Sequence, residues 1–181
     1  MKVKLPMTKE FVENLNIGDV IEITGYIYTA RDAAHKRIVE ALDRGDKPPI
    51  ELDNQIIFYA GPCPAPPDKP IGSIGPTTSV RMDPYVEQLL KEGVVAMIGK
   101  GDRSDYIPAL MEKYKAVYLL GIGGAAAIMA RKVKEATEIA YKDLGPESIK
   151  KLYVEDLKVI VGIDTKGRIL HDEGIAKYRK D

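Results

Sequence analysis

Cysteine is all but missing from this sequence: Cys63 stands alone among 181 residues. A single thiol excludes an intramolecular disulfide, and it excludes a metal or iron–sulfur site assembled from several thiolates of this chain. Any such cluster has to come from elsewhere. Net charge is missing as well, because 27 basic residues are matched by 27 acidic ones. No global field draws the chain to nucleic acid or to an anionic membrane, so an anion site has to be local. No apolar run approaches the roughly 18 residues needed to cross a bilayer, and the opening Met-Lys-Val-Lys-Leu-Pro lacks the apolar core of a signal peptide. The sequence is accordingly read as cytoplasmic, with neither membrane nor nucleic acid among its partners. Tryptophan is absent and phenylalanine occurs twice, which leaves Val, Ile, Leu, Ala and ten tyrosines to fill the core.

What is present is ordinary in bulk. With 45% hydrophobic and 30% charged residues, the length suits one globular domain over residues 1–181. Residues 8–16 read as a short helix or arm, and residues 20–28, rich in β-branched and aromatic side chains, as a strand. Ala33, Ala34, Ile38 and Leu42 recur at helical spacing over residues 29–42, with Gly45 as terminator. A buried strand is expected over 55–60. Residues 61–70 follow, with five prolines in ten positions, and form a rigid surface loop or a linker between lobes. Asp83 reads as an N-cap with Pro84 at the first helical position, the helix closing at Gly93. Strands at 94–98 and 116–120 flank a helix at 105–114. The run Gly121-Ile-Gly-Gly124 is expected to turn into a long helix ending near Asp143. The tail, 152–170, carries short strands with a hairpin turn at 164–167. The alternation of strands and helices predicts an α/β fold with a partly parallel sheet.

In open α/β sheets, ligands gather beyond the carboxyl ends of the strands. Arg31, the segment Thr77 to Arg81, and Lys100 all fall at such positions. Three cations around one crevice suit a small dicarboxylate, because arginine binds a carboxylate with two parallel hydrogen bonds and lysine adds a point charge. The competing reading makes them unrelated surface residues. Thr77 and Thr78 either brace the turn after Gly75-Pro76 or present a hydroxyl that handles a proton, which requires nearby cations to stabilise an alkoxide. His35 shares a helical face with Arg31 and is either a substrate contact or a core or partner-facing residue. The turn at Gly121 lacks the full dinucleotide-binding pattern, since Ala126 stands where the last glycine belongs. His171 and Cys63 have no constellation around them.

Four motifs carry more information together than any one alone: Thr29-Ala-Arg-Asp-Ala-Ala-His35, Tyr59-Ala-Gly-Pro62, Gly75-Pro-Thr-Thr-Ser-Val-Arg-Met-Asp83 and Gly99-Lys-Gly101. In this order and spacing the chain resembles, from about Leu5 to His171, the β subunit or C-terminal region of iron–sulfur hydro-lyases, the class I fumarases and L(+)-tartrate dehydratases. The resemblance implies a swivelling β/β/α domain, with a parallel sheet and a second, mixed or antiparallel sheet layered with helices. It implies that an α subunit, or an N-terminal domain, holds a [4Fe–4S] cluster through three cysteines, with an α2β2 hetero-oligomer as the expected assembly. It makes Arg31, Arg81 and Lys100 the carboxylate-binding cations, with Thr78 beside them. Thr77 becomes the base that takes a proton from the carbon next to a carboxylate, while the cluster's open iron polarises the departing hydroxyl. Asp32 and His35 match the motifs without an assigned role. Ser79-Val80 departs from the small residues many relatives carry there. A non-catalytic module that binds an anion or a partner is the rival expectation.

Overall fold

The computed structural model describes residues 1–121 and 126–178. Among these residues there are seven strands: β1 (Lys2–Lys4), β2 (Val20–Thr29), β3 (Ile56–Phe58), β4 (Ala96–Gly99), β5 (Val117–Gly121), β6 (Val133–Ala140) and β7 (Ile149–Ile163). The helices are α1 (Lys9–Glu13), α2 (Asp32–Asp43), α3 (Asp83–Lys91), α4 (Ile107–Tyr114), α5 (Ala126–Lys132) and α6 (Leu170–Tyr178), with 3-10 turns at Ser79–Met82 and Lys142–Glu147.

Strands β1 to β5 pair in parallel, whereas β7 runs antiparallel to β2, β5 and β6. The order is β1-β2-β3-β4-β5-β7-β6, and the further β2–β7 pairing closes β2, β3, β4, β5 and β7 into a ring. Closure removes open edges from that ring. The expected α/β class, with parallel and antiparallel strands and flanking helices, is the one observed.

Strand periodicity sorts the side chains into two cores. Ile56 and Phe58 of β3, Ala96 and Ile98 of β4, and Val117 and Leu119 of β5 share one core with Ile21, Ile23 and Ile27 of β2 and Val159 and Val161 of β7. Their alternates, Ile57, Met97 and Tyr118, face outward and pack under Ile38 of α2, Val86 and Leu89 of α3 and Met111 of α4. Helices therefore cover the parallel part, and the loops between strand and helix are gathered at the strands' carboxyl ends.

Three local expectations are corrected. The long helix to Asp143 is instead the short α5 followed by β6. Val133, Ala136 and Ala140, the inward positions of β6, recur at a helix-like interval because register shifts against β7 interrupt the pleat at both ends of the strand. Asp83 is not an N-cap: the 3-10 turn Ser79–Met82 runs straight into α3, Met82 holds the cap position, and the Asp83 carboxylate is turned elsewhere. The tail is one fifteen-residue strand, β7, not several short ones, because it spans both β2 and the β5–β6 edge. The turn that ends β7 does fall at 164–167, closed by Gly167 N–H on the Asp164 carbonyl. Residues 122–125 of the expected glycine turn lie outside the described residues. The proline-rich stretch is a surface loop pinned to its neighbour by Cys63 N–H on the Ser73 carbonyl and Gly72 N–H on the Cys63 carbonyl.

Candidate active site

Parallel pairing in close register brings the ends of β2, β3 and β4 together, with Thr29 beside Phe58 and Phe58 beside Ile98. The residues that follow each strand therefore meet. Arg31 ends the turn from β2 into α2. The Thr77–Arg81 segment lies across the ends of β3 and β4: Thr77 N–H donates to the Tyr59 carbonyl at 2.7 Å, Lys100 N–H donates to the Thr77 carbonyl at 3.3 Å, and Ser79 N–H donates to the Lys100 carbonyl at 3.0 Å.

On one side of this meeting point, charges alternate. Asp32 Oδ2 accepts from Arg81 Nη2 at 2.8 Å, and its Oδ1 lies 3.8 Å from Arg31 Nε. Arg31 Nη2 in turn lies 3.0 Å from Glu147 Oε1, an ion pair contributed by the turn before β7. Gly61 leaves the floor open, since a Cβ there would come within 3.1 Å of Arg31 Cδ and Nη1. Burial pushes the Asp32 carboxyl up, but the bond from Arg81, its own backbone amide and the charges of Arg81 and Arg31 together hold it below the usual carboxylate range. Arg81 remains half exposed. Lys100 is exposed and has no acidic partner within ion-pair distance among the described residues.

Behind the threonines lies a buried polar network. Gly99 admits the segment: a Cβ at this position would sit 1.8 Å from Ser79 Oγ and 3.0 Å from Tyr59 Cδ2. Ser79 Oγ lies 2.8 Å from Tyr118 Oη, and Tyr118 Oη donates to the Gly101 carbonyl at 3.2 Å. The Arg103 guanidinium stands 4.6 Å from the Tyr118 ring centre and donates from Nε to Asp83 Oδ1 at 2.6 Å. Asp83 Oδ2 accepts from Ser104 N–H at 2.7 Å. The Arg103 and Asp83 side chains are 2% and 1% exposed, and among the described residues Arg103 Nη1 and Nη2 have no hydrogen-bond partner. Burial pushes the Tyr118 hydroxyl up to about 12, so it stays protonated in ordinary buffers.

Thr78 caps the 3-10 turn by position but makes no side-chain capping bond, so the bracing role is carried by the backbone and by Ser79. Val80 is exposed and does not intrude on this network. His35 is fully buried behind Arg31. Its Nδ1 lies 2.8 Å from the Arg31 carbonyl and must carry the proton, because a carbonyl only accepts; Nε2 has no hydrogen-bond partner among the described residues. Burial lowers its pKa to about 4, so the ring is neutral, and it packs edge-on to Tyr59. His171 is exposed on the lip of a cavity of about 490 Å³ that Arg103 and Tyr118 also line. Cys63 is exposed and free. Among the described residues no group of three or more His, Cys, Asp or Glu side chains is arranged to hold a metal ion, and no helix is long and apolar enough to cross a membrane.

The structure thus brings together Arg31, Asp32, Thr77, Thr78, Arg81 and Lys100, and sets His35 behind them out of solvent. Sequence reasoning missed Glu147, Tyr118, Asp83 as an ion-pair partner, and Arg103. Tyr118 carried a signal, because a phenol in an otherwise aliphatic buried strand needs a hydrogen-bond partner.

Comparison with known proteins follows the same residues. The family described as Fumarase C-terminus matches residues 1–174. A Methanocaldococcus jannaschii protein named "Putative L(+)-tartrate dehydratase subunit beta" is 38% identical over 177 residues, covering 92% of this chain and 89% of that protein. The Escherichia coli anaerobic class I fumarate hydratase is 40% identical over 164 residues, 88% of this chain but 30% of the enzyme. Fumarate hydratase 2 of Leishmania major is 33% identical over 97% of this chain and 31% of its own length. The chain therefore spans nearly all of the first relative and about a third of the other two.

Proposed function

The chain belongs to the Fumarase C-terminus family, and from that premise we propose that it is the β subunit of a two-subunit [4Fe–4S] hydro-lyase catalysing the reversible hydration of fumarate to malate. The observation that carries the reading is the Asp32 carboxylate, which lies 2.8 Å from the Arg81 guanidinium and 3.8 Å from that of Arg31. Two arginines 50 residues apart in the sequence already close around one carboxylate, the group the substrate would present twice. The M. jannaschii relative, 38% identical over 92% of this chain, is named as a β subunit, which supports a two-subunit arrangement. It equally supports L(+)-tartrate as the substrate, a second four-carbon dicarboxylate that needs the same cations.

In this proposal Arg31, Arg81 and Lys100 take the substrate carboxylates, with Thr78 beside them. Thr77, in an alkoxide form stabilised by the neighbouring cations, accepts the proton from the carbon next to a carboxylate in dehydration and returns it in hydration. The cations stabilise the negative charge that builds on that carboxylate as the proton leaves. Asp32 holds Arg81 in place until substrate arrives. The single exposed cysteine of this chain and the lack of a metal-ligating group among its described residues do not fit a [4Fe–4S] cluster. The cluster is accordingly assigned to the α subunit, in an α2β2 assembly.

The test is anaerobic reconstitution with a cluster-bearing partner and measurement of fumarate loss by ultraviolet absorbance, alongside turnover of malate and both tartrate enantiomers. Arg81→Ala is expected to lower kcat/KM by about 100-fold, as loss of a charge-assisted contact to a substrate carboxylate does. Full activity in that variant would sink the site assignment.

A further inference from the structure

We propose that Tyr118 and Ser79 are positioning residues that lock the threonine segment onto the Lys100 turn, so that Thr77 and Lys100 meet the substrate in a fixed relation; this rests on the hydro-lyase reading above. Tyr118 stands on β5, a strand that contributes none of the proposed substrate contacts. Its hydroxyl nevertheless reaches both functional segments, with Ser79 Oγ at 2.8 Å and the Gly101 carbonyl at 3.2 Å.

Proton bookkeeping fixes the direction of this chain. The Gly101 carbonyl only accepts, so the single Tyr118 proton is spent on it. The remaining contact is made only if Ser79 donates, giving Ser79 Oγ–H to Tyr118 Oη–H to the Gly101 carbonyl. Both groups are neutral, and burial holds the phenol up to about 12, so the relay is set across the working pH range. Around it, the backbone bonds between Thr77, Ser79 and Lys100 supply a second tie, and the space left by Gly99 allows the contact at all. Arg103 lies against the Tyr118 ring and is itself anchored by Asp83 at the start of α3, which prevents the ring from tilting away.

Arg31 and Arg81 are held separately, by Glu147 and Asp32. Loss of the Tyr118 hydroxyl should therefore leave carboxylate binding largely intact and misplace the proton-transfer group. A shift of about 1 Å at such a group costs on the order of 100-fold in rate. In the complex reconstituted with its cluster-bearing partner, Tyr118→Phe is expected to lower kcat about 10- to 100-fold with KM changed about twofold or less. Ser79→Ala should do the same, and the double variant should be no worse than either single one, because the two act through one chain. Unchanged kcat in Tyr118→Phe, or additive losses in the double variant, would overturn the proposal. If Tyr118→Phe fails to fold, Ser79→Ala, which deletes only the donor, decides alone.

Should the wild-type complex turn over neither fumarate nor tartrate, the hydro-lyase reading fails and an independent measurement judges the positioning. In the isolated full chain, the Thr77 and Thr78 methyl resonances and amide exchange at Ser79 and Lys100 should change in both variants, and not in Tyr153→Phe on the far side of β7. Identical spectra and exchange in wild type and Tyr118→Phe would reject the lock.

Discussion

Two carboxylate–guanidinium systems lie at the same end of the sheet and differ in access to water. The Asp83–Arg103 pair is 1% and 2% exposed, with its carboxylate shared between Arg103 Nε and Ser104 N–H. Every member of the Glu147, Arg31, Asp32, Arg81 series is partly open to solvent, and its last member is half exposed. A dry pair has no alternative partner once folded, so it fixes the geometry of whatever is attached to it. An open pair competes with water and with any incoming anion, so its cations remain available. Under the proposed function, the same chemistry serves as a foundation in one place and as a receptor in the other.

The sharpest way to break this contrast is to remove one partner from each system. Arg103→Ala strands a buried carboxylate and should cost about 3–5 kcal/mol of unfolding free energy. Asp32→Ala, in the open series, should cost about 1 kcal/mol or less. Denaturant titration of both variants checks the pair of values, and equal losses would erase the distinction.

Next in size is an effect of acid. His35 has a folded pKa of about 4 against an ordinary value of 6.5, so the folded state resists a proton that the unfolded state accepts. Its stabilising contribution is complete above pH 6.5 and is lost as the pH falls from 6.5 towards 4, by about 3 kcal/mol in all. Asp32, whose pKa is depressed below 3.8, adds a further loss only at still lower pH. Wild type should therefore weaken steadily between pH 6.5 and 4.5 in denaturant titrations. His35→Asn should show a flatter profile over that interval, and a parallel one would contradict the burial of a neutral ring.

A smaller loss is expected where the two systems touch the threonine segment. Gly99→Ala would drive a methyl group into Ser79 Oγ, at about 1–3 kcal/mol for an overpacked contact. Its thermal midpoint should drop while Gly45→Ala, where a Cβ meets nothing but φ is positive, falls by backbone strain alone.

Much of the proposed receptor is marked in the sequence because its residues sit in short motifs directly after strands, where topology gathers loops. Arg31, the segment Thr77 to Arg81 and Lys100 stand out by position, while their proposed roles rest on the resemblance to the iron–sulfur hydro-lyases rather than on position alone. The foundation was not legible. Asp83 read as a helix cap because Asp-Pro is a strong start signal, yet the turn before it runs unbroken into α3 and frees the carboxylate for Arg103. Glu147 belongs to a turn between β6 and β7 that could not be placed while β6 was expected to be helix. The interval Val133, Ala136, Ala140 looks helical in a sequence, and only the register against β7 shows it to be an irregular strand. The parallel strands, regular and bounded by glycine, raised no such conflict.

The central claim is that this chain brings the proton-transfer group as well as the carboxylate receptor to a shared active site. Thr77→Val removes one hydroxyl while keeping a β-branched side chain of nearly the same shape. In the anaerobically reconstituted complex, initial rates of fumarate hydration should then show kcat reduced about 100- to 10,000-fold, as expected for loss of a general acid–base group, with KM little altered. A Thr77→Val complex that hydrates fumarate at the wild-type kcat would contradict the account.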